Sequence, residues 1–399
     1  MTQSEPAPEF MKFLPDDRFA GTLVGRAWVP GPTAGPAVVA LREEGVFDLS
    51  ASFPTLSTLL ELPGAAGLVR EAAGVRLGSV EELVANSLAE NRDAGRPFLL
   101  APCDLQVVKA AGVTFAGSMI ERVIEEQAGG DAARAGAVRA QVQSLVGHDL
   151  AKIVPGSPRA AALKTLLQQQ GLWSQYLEVG IGPDAEIFTK APVLAAVGTG
   201  EPVGIRADSA WNNPEPEVVL AVNSRREIVG ATLGNDVNLR DIEGRSALLL
   251  GKAKDNNASC AIGPFLRLFD ASFGLDDVRR ETVHLRVEGP EGFVLRGVNS
   301  MDQISRDPVD LVEQMFAHHQ YPDGAMLFLG TLFAPIEDRD QAGGGFTHKL
   351  GDEVFIRSAR LGQLQNRVTH CTAAQPWQFG VRAFINNLAA RGLLVEASL

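Results

Sequence analysis

The sequence predicts a mainly β fold with helical insertions, divided into a small β-rich N-terminal domain over residues 1–98 and a larger domain over 99–399. Three observations carry this expectation. Short apolar runs recur along most of the chain, separated by clusters of Gly, Pro, Asn and Asp that favour turns. Extended helical spacing is concentrated in one Ala-, Gln- and Leu-rich stretch, 131–172, which reads as a helical insertion or lid. The length of 399 residues also exceeds the roughly 100 to 200 that one domain usually occupies.

In the N-terminal part, residues 22–29 read as a strand closed by Pro30-Gly31-Pro32, with further strands at 38–41 and 46–49 and a helix at 55–62. Side chains able to do chemistry are sparse there, so a packing or assembly role is expected. The second region opens near Leu99, with a strand at 105–108 and a helix at 119–127. From Tyr176 onward strand patterns dominate, at 187–190, 217–222, 228–232, 283–287, 326–329 and 354–356. The lysine-bearing stretch 251–264 reads as a loop.

A hydrophobic fraction of 45% and a charged fraction of 21% describe an ordinary soluble globular protein. The net charge of -12 and pI near 5.1 argue against nucleic acid or an anionic membrane as partner, since those need clustered Lys and Arg. A small molecule is the expected partner. Cys103, Cys260 and Cys371 show no CxxC spacing, so neither a disulfide framework nor a zinc site is indicated and a reducing cytoplasm fits. The N-terminus lacks the basic and apolar regions of a signal peptide. No apolar run reaches the roughly 18 to 20 residues that span a bilayer, so neither export nor insertion is expected.

The strongest chemical signal is Asn213-Pro214-Glu215-Pro216-Glu217, followed by Gly234-Asn235-Asp236. The prolines favour extended backbone, and i, i+2 spacing then places the Glu215 and Glu217 carboxylates on one face of a strand. Like charges side by side require a cation. Asp236 is far enough along for the strand to turn and a second one to return beside it. Three oxygen ligands without a nearby His or Cys suit Mg2+, with Mn2+ as a substitute, and leave positions open for substrate. A pair of solvated acids on an edge strand would show the same spacing.

Around these acids lie further candidates. Arg240, four residues beyond Asp236, could grip an anionic substrate in bidentate fashion or clamp Asp236 or Asp241. Lys252 and Lys254 are solvated in the ordinary reading, but a desolvated lysine beside a cation can act as a general base. On the strand at 187–190, alternation puts Glu186, Phe188 and Lys190 on one face, where Glu186 and Lys190 could pair.

The order of these pieces resembles the fumarylacetoacetate hydrolase superfamily. EIFTK (186–190), PEPEVVL (214–220), GNDVNLRDIEG (234–244), CAIGP (260–264), FLGT (328–331) and HKLGDEV (348–354) carry the resemblance, which covers roughly residues 100–395. It implies a mixed β-sandwich roll binding one Mg2+ through Glu215, Glu217 and Asp236, and acting on small 2-keto acids whose carboxylate and keto oxygens chelate the metal. Dimers or tetramers are expected on the same ground. Longer segments, such as 172–190, 211–220, 233–265 and 319–340, resemble the branch of bacterial 2-keto-3-deoxy-D-xylonate dehydratases, which implies conversion of the 2-keto-3-deoxypentonate to 2,5-dioxopentanoate. Hydrolytic members carry a His after a Gly-x-Asn-Tyr-like turn; here Ser118 takes that place, and serine without a partner is a poor base near neutral pH. The six histidines lie outside this turn and are read as structural.

The resulting expectation is that Lys254, aligned by counting back from Gly263-Pro264, removes a C3 proton and that Glu186 protonates the departing C4 hydroxyl. Lys252 remains the alternative base, because counting forward from Asp236 is ambiguous. Arg240 and Thr331 would hold the substrate carboxylate and Glu243 a sugar hydroxyl, with Ser118 and Lys252 also near the substrate. The alternatives are a hydrolase or decarboxylase of another 2-keto or 2,4-diketo acid, of acylpyruvase type, using the same metal, and a non-enzymatic keto-acid binding protein.

Overall fold

The computed structural model describes residues 8–115, 119, 123–124, 126–127, 153–169, 173–333, 335, 337–340 and 345–394. The chain begins with an antiparallel run, β1 (Thr22–Val29), β2 (Gly35–Arg42), β3 (Gly45–Asp48) and β4 (Val75–Gly78), followed by β5 (Phe98–Leu100), which pairs with β1. Next come β6 (Val107–Gly112), β7 (Glu186–Ala191) and β8 (Val203–Ile205), then the hairpin β9 (Pro216–Val222) and β10 (Ile228–Asp236) and the long β11 (Cys260–Leu268). The C-terminal part supplies β12 (Thr282–Glu288), β13 (Val294–Ser300), β14 (Ala325–Phe328), β15 (Glu353–Ser358) and β16 (Gly362–His370).

Two sheets result. The larger has the order β4-β3-β2-β1-β11-β10-β9-β14-β6-β7, and the smaller β13-β12-β15-β16-β8. Because β1 pairs with β11, the strands before residue 98 extend the same sheet that carries β9 and β10, and the expected boundary at 98 is no break in the hydrogen-bonded sheet.

Why β9 reads as an unbroken apolar run follows from what covers it. Val218, Leu220 and Val222 join one core with Leu285 of β12, Ile356 of β15 and Leu364 of β16. Val219 and Ala221 face the other way, into a core with Leu56, Leu59 and Val69 from the helices Leu56–Glu61 and Ala65–Glu71. A strand covered on both faces is apolar at both parities. By the same alternation Glu217 shares the face of Val219, so the acidic end of β9 opens away from the smaller sheet.

Several expectations shift. The strand expected at 105–108 starts at Val107, because Asp104 is committed to the turn, accepting backbone N–H bonds from Ser57 at 2.9 Å and Leu105 at 2.7 Å. Residues 251–264 are not one loop. Leu250–Lys254 is a helix, and β11 begins at Cys260 and is buried throughout. The Gly-Pro pair that suggests a turn lies inside the strand, where the pairing of β11 with β10 slips between Ala231 and Leu233 and no ladder N–H is required of Pro264. Of the expected insertion at 131–172, Pro158–Gln169 is helical, and 131–152 and 170–172 lie outside the described residues. No described helix is long and apolar enough to cross a membrane.

Candidate active site

One hairpin, one short helix and two flanking strands converge on the acidic end of β9. Gly234 lies opposite Glu217 and Asn235 opposite Pro216, so β10 delivers Asp236 level with Glu215, whose carbonyl accepts the Asp236 N–H at 3.0 Å. The Asn235 Oδ1 in turn accepts the Glu215 N–H at 3.1 Å. Glu215, Glu217 and Asp236 are all buried, and each offers one oxygen within 4.8 Å of the others. Glu217 is held from the far side by the Gly330 N–H, which donates to Oε2 at 2.7 Å.

Two lysines enter this cluster. Lys254, at the end of the helix Leu250–Lys254, donates from Nζ to Glu215 Oε2 and to Asp236 Oδ2, the latter at 3.1 Å. Lys190, from β7, is fully buried and sits 2.7 Å from Asp236 Oδ1 while donating to the carbonyls of Val237, at 3.2 Å, and Lys254. The two oxygens of Asp236 are thus divided between two ammonium groups. Burial pushes the Glu217 carboxyl well above the usual carboxylate range, the neighbouring Asp236 and Glu215 add to this, and Lys254 only partly opposes it. For Asp236 burial acts in the same direction, but Lys190 and Lys254 outweigh it and hold the carboxyl below its ordinary value.

The donor set fits a hard divalent cation. It is oxygen-only and buried, and burial, with the like charges of Asp236 and Glu215 added, raises the Glu217 carboxyl in a way a dication would offset. The adjoining cavity is lined by Glu186, Glu243 and Thr331 together with the apolar Ala111, Val113 and Phe188. Glu186 pairs across β6–β7 with Gly112, where a Cβ would collide with the Glu186 carboxylate. Thr331 Oγ1 donates to the Phe333 carbonyl at 3.0 Å.

Most of the candidates named from sequence therefore meet in one place: Glu186, Glu215, Glu217, Asp236, Glu243, Lys254 and Thr331 line the cavity. Lys252 is on the same helix as Lys254 but exposed, since two residues along a helix point to nearly opposite sides. Arg240 is buried but not among the lining residues; its Nη1 donates to the Pro335 carbonyl at 3.0 Å and its guanidinium lies 5.5 Å from the Trp211 ring centroid. Ser118 lies outside the described residues. Of the histidines, His348 is buried with Nδ1 2.9 Å from Asp352 Oδ2, a structural pairing. Lys190, which the sequence offered only as a partner for Glu186, pairs with Asp236 instead. Alternation placed it on the face of Glu186 and Phe188, but its pairing with Asp236 depends on the contact between β7 and the end of β10, which are not neighbours in the sheet.

A buried cluster of three carboxylates with a lysine directly on it is seated at a hairpin end in a two-sheet β roll. The chain belongs to the fumarylacetoacetate hydrolase family: the family described as fumarylacetoacetate (FAA) hydrolase C-terminal matches residues 167–369. The chain is similar to a probable 2-keto-3-deoxyxylonate dehydratase of Haloferax volcanii, at 30% identity over 202 residues, covering 51% of this chain and 66% of that protein. It is similar also to a 2-dehydro-3-deoxy-D-arabinonate dehydratase of Saccharolobus solfataricus, at 30% identity over 157 residues, covering 39% and 51%. The matches thus span between half and just under two thirds of these curated relatives. Among solved structures, a 2-keto-3-deoxyarabinonate dehydratase aligns with TM-score 0.61 and 21% identity over 87% of this chain and 98% of its own. A 2-keto-3-deoxy-D-arabinonate dehydratase complexed with magnesium and 2,5-dioxopentanoate aligns with TM-score 0.60 and 20% identity over 88% and 99%. At these identities the likeness supports the shared fold.

Proposed function

We propose that this chain is a Mg2+-dependent hydro-lyase that dehydrates 2-keto-3-deoxy-D-xylonate to 2,5-dioxopentanoate. The carrying observation is the Lys254 ammonium set directly on two of three clustered carboxylates, facing a cavity that holds a further acid, Glu186. Two relatives named as dehydratases of such acids support the reading. Their names, from xylonate and arabinonate, converge chemically. With C2 a ketone and C3 a methylene, C4 is the one stereocentre left, and D-xylose and D-arabinose share it.

Glu215, Glu217 and Asp236 would hold a divalent cation, which would supply Lewis acidity at the 2-keto group. Lys254, once the ammonium proton it shares with Glu215 and Asp236 has been given up, takes a C3 proton in its neutral form, and Glu186 gives a proton to the C4 hydroxyl as it leaves as water. Transfer of a proton from C5 to C3 moves the double bond to C4–C5, and the enol there tautomerises to the C5 aldehyde. Thr331 hydrogen-bonds the substrate carboxylate and Glu243 a hydroxyl. Arg240, engaged with Pro335, acts on that carboxylate only if its side chain turns toward the cavity.

Mass spectrometry of products from a panel of 2-keto-3-deoxy acids, with and without Mg2+, tests the proposal. The expected product is one water mass lighter, carries an aldehyde and forms only with the cation. Rapid acylpyruvate hydrolysis or decarboxylation, with no dehydration of any 2-keto-3-deoxy acid, would overturn the dehydratase reading and favour a hydrolase or decarboxylase at the same centre.

A further inference from the structure

The segment after β14 runs alongside the start of β9, but one peptide departs from the ladder. Leu329 N–H donates to the Val218 carbonyl at 3.1 Å and Leu332 N–H to the Pro216 carbonyl at 3.2 Å, both ordinary backbone pairings. Between them the Gly330 N–H leaves the backbone of β9 and donates to the Glu217 carboxylate at 2.7 Å. Gly330 has φ of +99°, a conformation that favours glycine, and a Cβ there would collide with Thr114 Oγ1. The carbonyl of the same peptide unit, that of Leu329, accepts a hydrogen bond from Thr114 Oγ1 at 2.6 Å.

A single Leu329–Gly330 peptide therefore connects the buried Thr114 hydroxyl to a carboxylate of the cation centre. Its C=O and N–H point to opposite sides, so the hydroxyl that grips the oxygen also sets the plane in which the N–H meets Glu217. Hydrogen bonds in series through one peptide polarise one another. Thr114 is itself anchored: its carbonyl accepts from Ser305 N–H at 2.7 Å and Ser305 Oγ at 2.8 Å, and its side chain is fully buried. The chain reaches it through Val113, a β-branched residue at φ of +56°, an unfavourable conformation that persists where surrounding contacts dictate it.

We infer that Thr114 is a positioning residue of the cation centre, orienting Glu217 through the Leu329–Gly330 peptide. The inference rests on the reading of Glu215, Glu217 and Asp236 as cation ligands. Hydrogen bonds that orient a metal ligand from behind commonly change metal affinity about 10- to 100-fold when removed.

The test is calorimetric titration of metal-stripped protein with Mg2+, wild type against Thr114→Val, Thr114→Ala and Thr114→Ser, with thermal unfolding of each stripped protein recorded in parallel. Thr114→Val keeps the shape and removes the donor. Thr114→Ser and Thr114→Ala both lose the methyl and differ only in the hydroxyl, so they report on the hydroxyl even if the valine variant fails to fold. Affinity about 10-fold weaker in Val and Ala, with Ser within about twofold of wild type, is the expected result. Folded Val or Ala variants that bind Mg2+ within about twofold of wild type would overturn the inference, even if they melt earlier. A wild type that binds no Mg2+ would overturn the cation reading and this inference with it.

Discussion

Replacing Lys190 with Met keeps an unbranched stem of similar length and removes the charge and the three donors. Two groups lose their Lys190 partner, Asp236 Oδ1, at 2.7 Å, and the Val237 carbonyl, at 3.2 Å, while the Lys254 carbonyl keeps only the Ser259 hydroxyl, at 2.8 Å. Lys190 is fully buried, so no water replaces it without rearrangement. Breaking a buried ion pair by deleting one member destabilises by about 3–5 kcal/mol, the cost of the buried charge left behind. For 399 residues the unfolding entropy is roughly 0.8 kcal/mol/K, so the unfolding midpoint of the metal-stripped variant should fall by roughly 4–6 °C. Mg2+ should then stabilise the variant more than the wild type, because the freed Asp236 oxygen gains a cationic partner. Thermal unfolding with EDTA and across a Mg2+ titration reads both effects. A metal-stripped Lys190→Met midpoint within about 1 °C of wild type would refute the argument that Lys190 locks the site.

Further outcomes follow from the same geometry. Glu217→Gln removes one of three clustered anionic oxygens, so Mg2+ affinity and turnover should fall together; an unchanged metal titration would contradict the ligand assignment. Lys254→Met should abolish solvent exchange of the substrate C3 protons, and wild type treated with borohydride and substrate should carry no mass adduct; exchange at the wild-type rate would place the base elsewhere. At Asp352 burial acts to raise the carboxyl, but bonds from Arg339, both 2.7 Å, and His348 hold it at about 2 against an ordinary 3.8. Its folded-state value is depressed, so its stabilisation, about 2 kcal/mol, is complete above pH 3.8 and lost as pH falls from there toward 2. Urea unfolding between pH 5 and 2 should show that loss in wild type and a flatter acid limb in Asp352→Asn; equal slopes would count against it.

The parts of the site legible in the chain are those whose partners are close in sequence or follow from a two-residue period. Glu215 and Glu217 share a strand face by alternation, and Asp236 returns beside them because a hairpin is the shortest way back. The strands at 22–29 and 217–222 were legible for a similar reason, being apolar runs bounded by turn residues. β11 was not. Its Gly-Pro pair signals a turn locally, and the register slip that accommodates it exists only once β10 lies alongside. That the strands before residue 98 would join the larger sheet was not legible for the same reason, since sequence cannot show that β1 would pair with a strand more than two hundred residues away.

By itself, the sequence determined the chemistry available: three acids and no His or Cys beside them, a lysine near them in the chain order, and a mainly β scaffold. These are properties of residue type and short-range spacing, which survive in any fold the chain adopts. Only the tertiary structure decided which lysine reaches the carboxylates, that Lys190 joins Lys254 on Asp236, and that Arg240 is held on Pro335 instead of lining the cavity. It also decided that one peptide after β14 leaves its ladder to hold Glu217. Each of those outcomes depends on contacts between elements far apart in sequence, where burial makes an unpaired charge or N–H costly and so selects one arrangement among many that local preference would allow.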